Sequence, residues 1–569
     1  MIIDVSDDAD WRRSVSATGL LREFNDAGVI ESADVLVAQR LTELAAEPDE
    51  RVALAVALTV RAVRGGSVCI DLAQIAEQAD VPALPWPAPA EFVAAVSASP
   101  LCADPPVLHL EDGLLYLDRY WIEECRVAAD VLALAGAPRT GSVPDITRLF
   151  PDSYVEQRGA AALALSRALT VLTGGPGTGK TTTVARLLAL LAEQAETDGK
   201  PGLRIALAAP TGKAAARLLE AVALEVAKLE SADRDRLPVL AATTLHRLLG
   251  GRPDTASRFH DVIVVGETSM VSLTMMARLL EAVRPESRLV LVGDADQLAS
   301  VEAGAVLADL VEGLAGIPDS PVATLVTPHR FGESIGALAE AIRTGDADAA
   351  VEVLTAGGEH IEWIDTAQPA EILRKVLVPH ALRLRGAAVL GDAEAALATL
   401  EQHRLLCAHR RGPFGVEHWN RQIERWLAEQ TDMPLWAAWY VGRPVLVTAN
   451  DYGLGLLNGD TGVVVLRDGG LRAAMSSSSG PVEFATSRLA DIDTMHAMTI
   501  HKSQGSQATE VTVLLPPEDS RLLTRELLYT AVTRARQKVR LVGSAEQLRA
   551  AVARRAVRAT GLSRRLAAG

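Results

Sequence analysis

Several features are missing from this 569-residue chain, and each absence narrows what it can be. No stretch reaches the roughly eighteen consecutive apolar residues that a membrane-spanning helix requires. The opening segment, Met1 to Arg13, has no basic cluster ahead of an apolar run. Neither a span nor a secretory leader is therefore expected, and the cytoplasm is the expected location. Cysteine is scarce: Cys69, Cys102, Cys125 and Cys407 are scattered without metal-ligand spacing, which excludes a zinc module or disulfide scaffold and fits reduced thiols. No internal period of solenoid length is found.

Positive charge is also in deficit. A net charge of −16 argues against a protein that coats nucleic acid nonspecifically, because phosphate neutralisation dominates that kind of affinity. Any DNA contact must be local. The exception is the end of the chain, where Arg534 to Gly569 holds ten Lys or Arg and a single acid, Glu546. Either a solvated Ala/Arg-rich helix face or a phosphate-binding or partner-docking tail accounts for it.

The length exceeds what one hydrophobic core serves, so several domains are expected. Residues 1–145 read as Leu/Ala/Val-rich helices such as Arg51 to Val63, interrupted by the turn-rich Val81 to Pro89, and carry no nucleotide or metal signature. This looks like an accessory or docking domain. Residues 146–328 alternate short apolar runs (Leu203 to Ala208, Asp261 to Val265, Ser287 to Val292) with helical patterns, the signature of parallel strands covered on both faces. A second α/β pattern fills residues 329–569, with strands near Arg404 to Ala408 and Glu510 to Leu515. Within it, residues 440–489 are rich in Val and Gly without helical periodicity and read as a small β-barrel insert.

Against that background Gly174-Gly175-Pro176-Gly177-Thr178-Gly179-Lys180-Thr181 stands out. It is a complete G-x-x-x-x-G-K-T loop between an apolar run and an amphipathic helix pattern. Glycines let successive N–H groups face phosphates, Lys180 reaches the β/γ oxygens, Thr181 ligates Mg²⁺, and the helix begun by Thr182 directs its positive end at the ligand. ATP with Mg²⁺ is the expected cofactor. Gln157, upstream, could read the complementary edges of adenine, although an ordinary helix-surface Gln is the plainer account.

Further sites follow in order. Pro210, Thr211 and Lys213 end a strand in a turn, a helix N-terminus and a cation, which suits the backbone phosphates of a single strand. Thr244 and His246 could add contacts, though a helix-capping Thr explains the first nearly as well. The strand from Asp261 runs into Gly266 and Glu267, where two adjacent acids are expected, one for the metal and one as base. Glu267 can serve as base; the metal-side carboxylate is missing. Gln297, in Gly293-Asp294-Ala295-Asp296-Gln297, is placed to sense the γ-phosphate. Arg330 opens and Arg534 closes the second α/β half, a spacing that allows two arginines to clamp the γ-phosphate from the opposite lobe. Thr499, His501 and Lys502 offer groups to DNA, and Gly505 bounds a loop facing the nucleotide.

This ordered set resembles the superfamily-one DNA helicases of 5′→3′ polarity, and among them the RecD family, the alpha subunits of exodeoxyribonuclease V. Three segments mark that family: Leu115 to Trp121, Leu405 to Val416, and Leu457-Asn458-Gly459-Asp460-Thr461-Gly462. The resemblance implies two RecA-like P-loop NTPase lobes, a helical partner-docking domain, single-stranded and duplex-end DNA as substrate, and assembly with RecB-like and RecC-like subunits. No nuclease cluster of acids is evident, so cleavage falls to a partner. Two positions depart from the family pattern: Gly266 replaces an Asp, and Gln507 stands where a Glu often contacts ribose. Gly266 keeps open a subunit that binds ATP without turning it over, and a stand-alone helicase is a third reading.

Overall fold

The computed structural model describes residues 11–79, 81–250, 260–327, 333–366, 368–431, 437–477 and 480–569. Four sheets organise them.

The first lobe is a six-stranded, all-parallel sheet in the order Ala242–Thr244, Ile205–Ala209, Val262–Val265, Arg288–Gly293, Leu169–Gly174, Val322–Leu325. Its central strands are uninterrupted apolar runs with every residue of Val262–Val265 buried, because helices cover both faces. The P-loop strand lies between Arg288–Gly293 and Val322–Leu325, and the strands carrying Glu267 and Gln297 are adjacent to each other. All three loops thus emerge at the same carboxyl edge, the ligand-binding edge of such sheets.

The second lobe is a five-stranded parallel sheet, ordered Ile361–Ile364, Ala535–Val542, Ala508–Leu514, His403–Cys407, Ala497–Thr499. Strand ends differ from the sequence expectation by one or two residues, the usual uncertainty of boundaries.

Between its strands lies an antiparallel five-stranded sheet, Val482–Ala485, Gly470–Met475, Thr461–Arg467, Pro444–Val447, Ile492–Thr494. The two end strands do not pair with each other among the described residues, so the expected barrel is an open sheet. The reason is packing. Leu446, Val463, Val465 and Ala474 turn into the core shared with helices Ala370–Val389 and Ala393–Gln402, so that face is covered by helices and not by the sheet closing on itself. Val445, Val447, Val464 and Met475 form a separate cluster on the other face.

The amino-terminal region is helical, as anticipated, but also contains a small antiparallel sheet, Cys69–Asp71, Leu114–Leu117, Leu108–Glu111. Leu114 to Leu117 overlaps the family segment that begins at Leu115, which the helical reading passed over. Helix Asp118–Ala135 buries Val127, Ala128 and Val131 in the same core as Leu169, Leu289 and Leu291 of the first lobe. Leu562 and Leu566 of the carboxyl-terminal helix join that core. The basic end of the chain is thus docked within the molecule. Arg565 donates from Nε to Glu124 Oε1 at 2.9 Å and pairs with Glu111, while the backbone N–H of Gly561 donates to Glu124 Oε2 at 3.0 Å. Glu124 is fully buried, and these donors satisfy its charge.

Candidate nucleotide and nucleic-acid site

The P-loop has the geometry that its glycines require. Gly177 and Gly179 adopt φ of 83° and 88°, and a Cβ on Gly174 would run into the carbonyl oxygen of Leu325 on the neighbouring strand. Helix Lys180–Thr197 begins directly after, placing Thr181 and Thr182 in its first turn. Pro176 belongs to the turn, and Thr178 closes it by donating from Oγ1 to Gly175 O at 2.9 Å. Lys180 folds back on the loop, donating from Nζ to Gly174 O at 2.5 Å and Gly175 O at 2.7 Å. Gln157 is 3% exposed and donates from Nε2 to Thr178 O at 3.0 Å. Its amide nitrogen therefore braces the P-loop backbone.

Beside the loop, buried Asp294 is a hub. It accepts from Gln297 Nε2 at 2.9 Å and from the Tyr529 hydroxyl at 3.1 Å. Burial pushes its pKa up, opposed by the charge of Lys180. Gln297, 8% exposed, is thus tied to an acid within reach of the P-loop lysine. Tyr529 comes from the second lobe. So does Thr530, whose Oγ1 accepts from Leu298 N at 2.9 Å, and Gln504, whose Nε2 donates to Leu298 O at 2.9 Å. Gly505 follows at φ 68°, against Ala214 of the first lobe.

Arg534 is 5% exposed and donates from Nε to Thr530 O at 3.0 Å. Burial lowers its pKa, countered by the charges of Glu267 and Asp294. The guanidinium of one lobe therefore lies in the field of the two acids that flank the P-loop of the other. Arg330 lies outside the described residues. Glu267 holds a left-handed backbone, φ 52°, just beyond its strand. Gly266 is buried with its N–H bonded to Ala208 O at 2.8 Å, and a Cβ there would stand 3.1 Å from Leu218 Cδ2, a flexible side chain. Among the described residues no group of three or more His, Cys, Asp or Glu is arranged to hold a metal.

The residues expected to contact DNA come from both lobes. Three threonines cap helices: Thr211 accepts from Ala214 N, Thr244 from Arg247 N and Thr499 from Lys502 N. Pro210 precedes the first cap, and His246 is exposed. Burial lowers the pKa of His501. Both lysines reach the antiparallel insert. Lys213 donates from Nζ to Gly459 O at 3.0 Å, and Lys502 donates to Asn458 Oδ1 at 2.9 Å. Burial, with Arg217 and Arg404 nearby, pulls the Lys213 pKa down to about 7. The loop Leu457 to Asp460 thus bridges the lobes, with Leu457 packed so tightly on Gly212 that no Cβ would fit there.

Sequence reasoning did not single out Asp294, Tyr529 or Thr530. An acid directly after an apolar strand was the available signal for Asp294; Tyr529 and Thr530 had none, since their partners lie more than two hundred residues away.

Comparison with known proteins matches residues 153–366 to an AAA domain, residues 494–542 to a UvrD-like helicase C-terminal domain, and residues 26–116 to the N-terminal domain of RecBCD enzyme subunit RecD. The chain is 69% identical to the RecBCD enzyme subunit RecD of Mycolicibacterium smegmatis, over 96% of this chain and 99% of that one. It is 66% identical to the protein of the same name from Mycobacterium tuberculosis, over 97% and 98% of the two chains, and 31% identical to that of Haemophilus influenzae, over 80% of each. With relatives matched almost end to end and a P-loop set against a second parallel lobe, the chain belongs to the RecD family of RecBCD enzyme subunits.

Proposed function

We propose that this chain is the ATP-driven 5′→3′ helicase subunit of a RecBCD-type helicase–nuclease, acting in the cytoplasm on DNA ends during double-strand break repair and recombination. It assembles with RecB-like and RecC-like subunits and leaves cleavage to a partner. The observation that carries this reading is the joint between the lobes. Helix Arg525–Val532 places Tyr529 on Asp294 and Thr530 on Leu298, in the loop beside the P-loop lysine.

The residues divide the work. Lys180 must release the carbonyls of Gly174 and Gly175 to reach a triphosphate, and Asp294, which feels the lysine charge, passes that change to Tyr529. Arg534, buried without a full counter-charge, draws the second lobe toward new negative charge in the cleft. Glu267 is the base for the attacking water, and Gln297 couples its position to Asp294. Thr181 would hold Mg²⁺, which would supply charge neutralisation at the phosphates. With Gly505 already against Ala214, nucleotide-driven movement of the lobes shifts Thr499, His501 and Lys502 relative to Pro210, Thr211, Lys213, Thr244 and His246. That relative shift advances a single strand.

Gly266 favours a binding-only subunit, but the convergence of Lys180, Glu267 and Arg534 weighs against it. The stand-alone reading is disfavoured by the near end-to-end match to RecBCD subunits. DNA-stimulated ATPase activity tests the proposal: Lys180→Gln lowers it on the order of a hundredfold or more. Equal rates in the two proteins would overturn it. Co-purification followed by a strand-polarity assay tests assembly and direction.

A further inference from the structure

One face of the second parallel sheet changes character along its strands. Beneath helix Ala370–Val389, residues two apart run from polar to apolar in four registered strands: Glu362 then Ile364, His403 then Leu405 and Cys407, Glu510 and Thr512 then Leu514, Lys538 and Arg540 then Val542. The carboxyl halves join Leu373, Leu377 and Trp419 in an apolar cluster. The preceding positions on this face are polar, although Thr512, His403 and Arg540 are all at least nine-tenths buried.

Buried polar groups need partners, and here the pairing is incomplete. His403 Nε2 meets Thr512 Oγ1 at 2.9 Å, and Arg540 donates from Nε to Glu362 Oε2 at 2.8 Å and from Nη2 to Glu510 Oε2 at 3.2 Å. Arg540 Nη1 and His380 Nδ1 have no partner among the described residues. A cavity of about 550 Å³ adjoins these two side chains, lined by Lys375, His380 and Arg383 of the helix and by His403, Glu510 and Arg540 of the sheet. That volume falls within the range of small-ligand pockets, about 300–1,000 Å³. Lys375 and Arg383 are exposed and give access from solvent. Of the charged residues lining the cavity, Lys375, Arg383 and Arg540 are positive and Glu510 is negative, and Arg540 shares Glu362 with Lys538. Burial together with Arg383 and Arg404 pulls the His380 pKa down to about 4, as surroundings short of negative charge must.

We propose that this cavity is a second ligand site, at the opposite strand ends from the nucleotide cleft, and that it takes a small phosphate monoester. Arg540 Nη1 and His380 would supply the inner donors; Lys375 and Arg383 would supply charge at the mouth.

Calorimetric titration of the full-length chain with inorganic phosphate and with ribose 5-phosphate tests this, since neither probe carries the base or triphosphate that the P-loop cleft selects. Saturable binding at one site is the expected result. Arg540→Gln abolishes it, and because that change also breaks two partly buried ion pairs, the exposed substitutions Lys375→Gln and Arg383→Gln are the decisive ones. Each weakens binding about tenfold while leaving the melting temperature unchanged. Absence of saturable binding, or binding that Lys375→Gln and Arg383→Gln leave unchanged, overturns the proposal. So does displacement of ribose 5-phosphate by a single-stranded oligonucleotide whose own binding the same two changes weaken, because the cavity would then belong to the nucleic acid.

Discussion

The two parallel sheets are alike at their carboxyl ends and unlike at their amino ends. In the first, strands such as Val262–Val265 are buried throughout, and chemistry is confined to the loops that leave them. In the second, Cys407, Leu514 and Val542 secure the end nearest the cleft, while His403 and Glu510 lie toward the other. A loop that must hold a phosphate or a guanidinium in place needs a close-packed foundation directly beneath it. The far end carries no such demand. It can hold polar groups, provided that they are paired.

The sharpest way to break this comparison is at the joint. Arg534→Gln should lower DNA-stimulated ATP turnover on the order of a thousandfold, the scale of a lost transition-state arginine, with melting temperature recorded as a control for folding. A loss below tenfold would mean that the second lobe covers the P-loop without acting on it. Next in size is the contrast between the sheets themselves. Leu291→Ala, in the fully buried first sheet, should cost about 3 kcal/mol in denaturant unfolding, whereas Thr512→Val, which removes a partner from His403, should cost about 1 kcal/mol. Equal costs would show the polar half to be as structural as the apolar one.

A smaller effect is expected at Gly266. Gly266→Asp adds a carboxylate beside Glu267 with only Leu218 to displace, and should raise turnover about tenfold while lowering the Mg²⁺ concentration needed for half the maximal rate. A gain beyond a hundredfold would favour the binding-only subunit. The smallest effect is at Lys213. Its folded pKa, about 7, lies below that of the unfolded chain. Between pH 7 and about 9 the folded chain therefore binds fewer protons than the unfolded one, so the contribution of this group to stability rises with pH. Wild type should gain melting temperature across that window relative to Lys213→Met. Parallel pH profiles would place the ammonium in solvent, away from Gly459.

The first lobe was the more legible of the two because its signals are local. A G-x-x-x-x-G-K-T loop between an apolar run and a helical pattern specifies strand, turn and helix within a few turns of chain, and Val262 to Val265 declares a buried strand by itself. The insert was legible as β structure from its Val and Gly content, but not as an open sheet, because Val463 and Val465 look the same in sequence whether they face a barrel interior or helix Ala393–Gln402. The antiparallel strands at Cys69 and Leu114 escaped notice for a related reason: three- and four-residue strands lack a period long enough to read.

What the sequence by itself determined is the inventory: a phosphate loop, a base without its neighbouring acid, an arginine near the end of the last strand pair, and the order in which they occur. Those follow from short-range spacing, which fixes local backbone. Tertiary structure alone decided that Gln157 braces the P-loop, that Tyr529 rests on Asp294, that the basic tail closes on Glu124, and that two lysines expected on DNA are held by the insert. Each depends on groups far apart in the chain, and only packing brings such groups within hydrogen-bond reach.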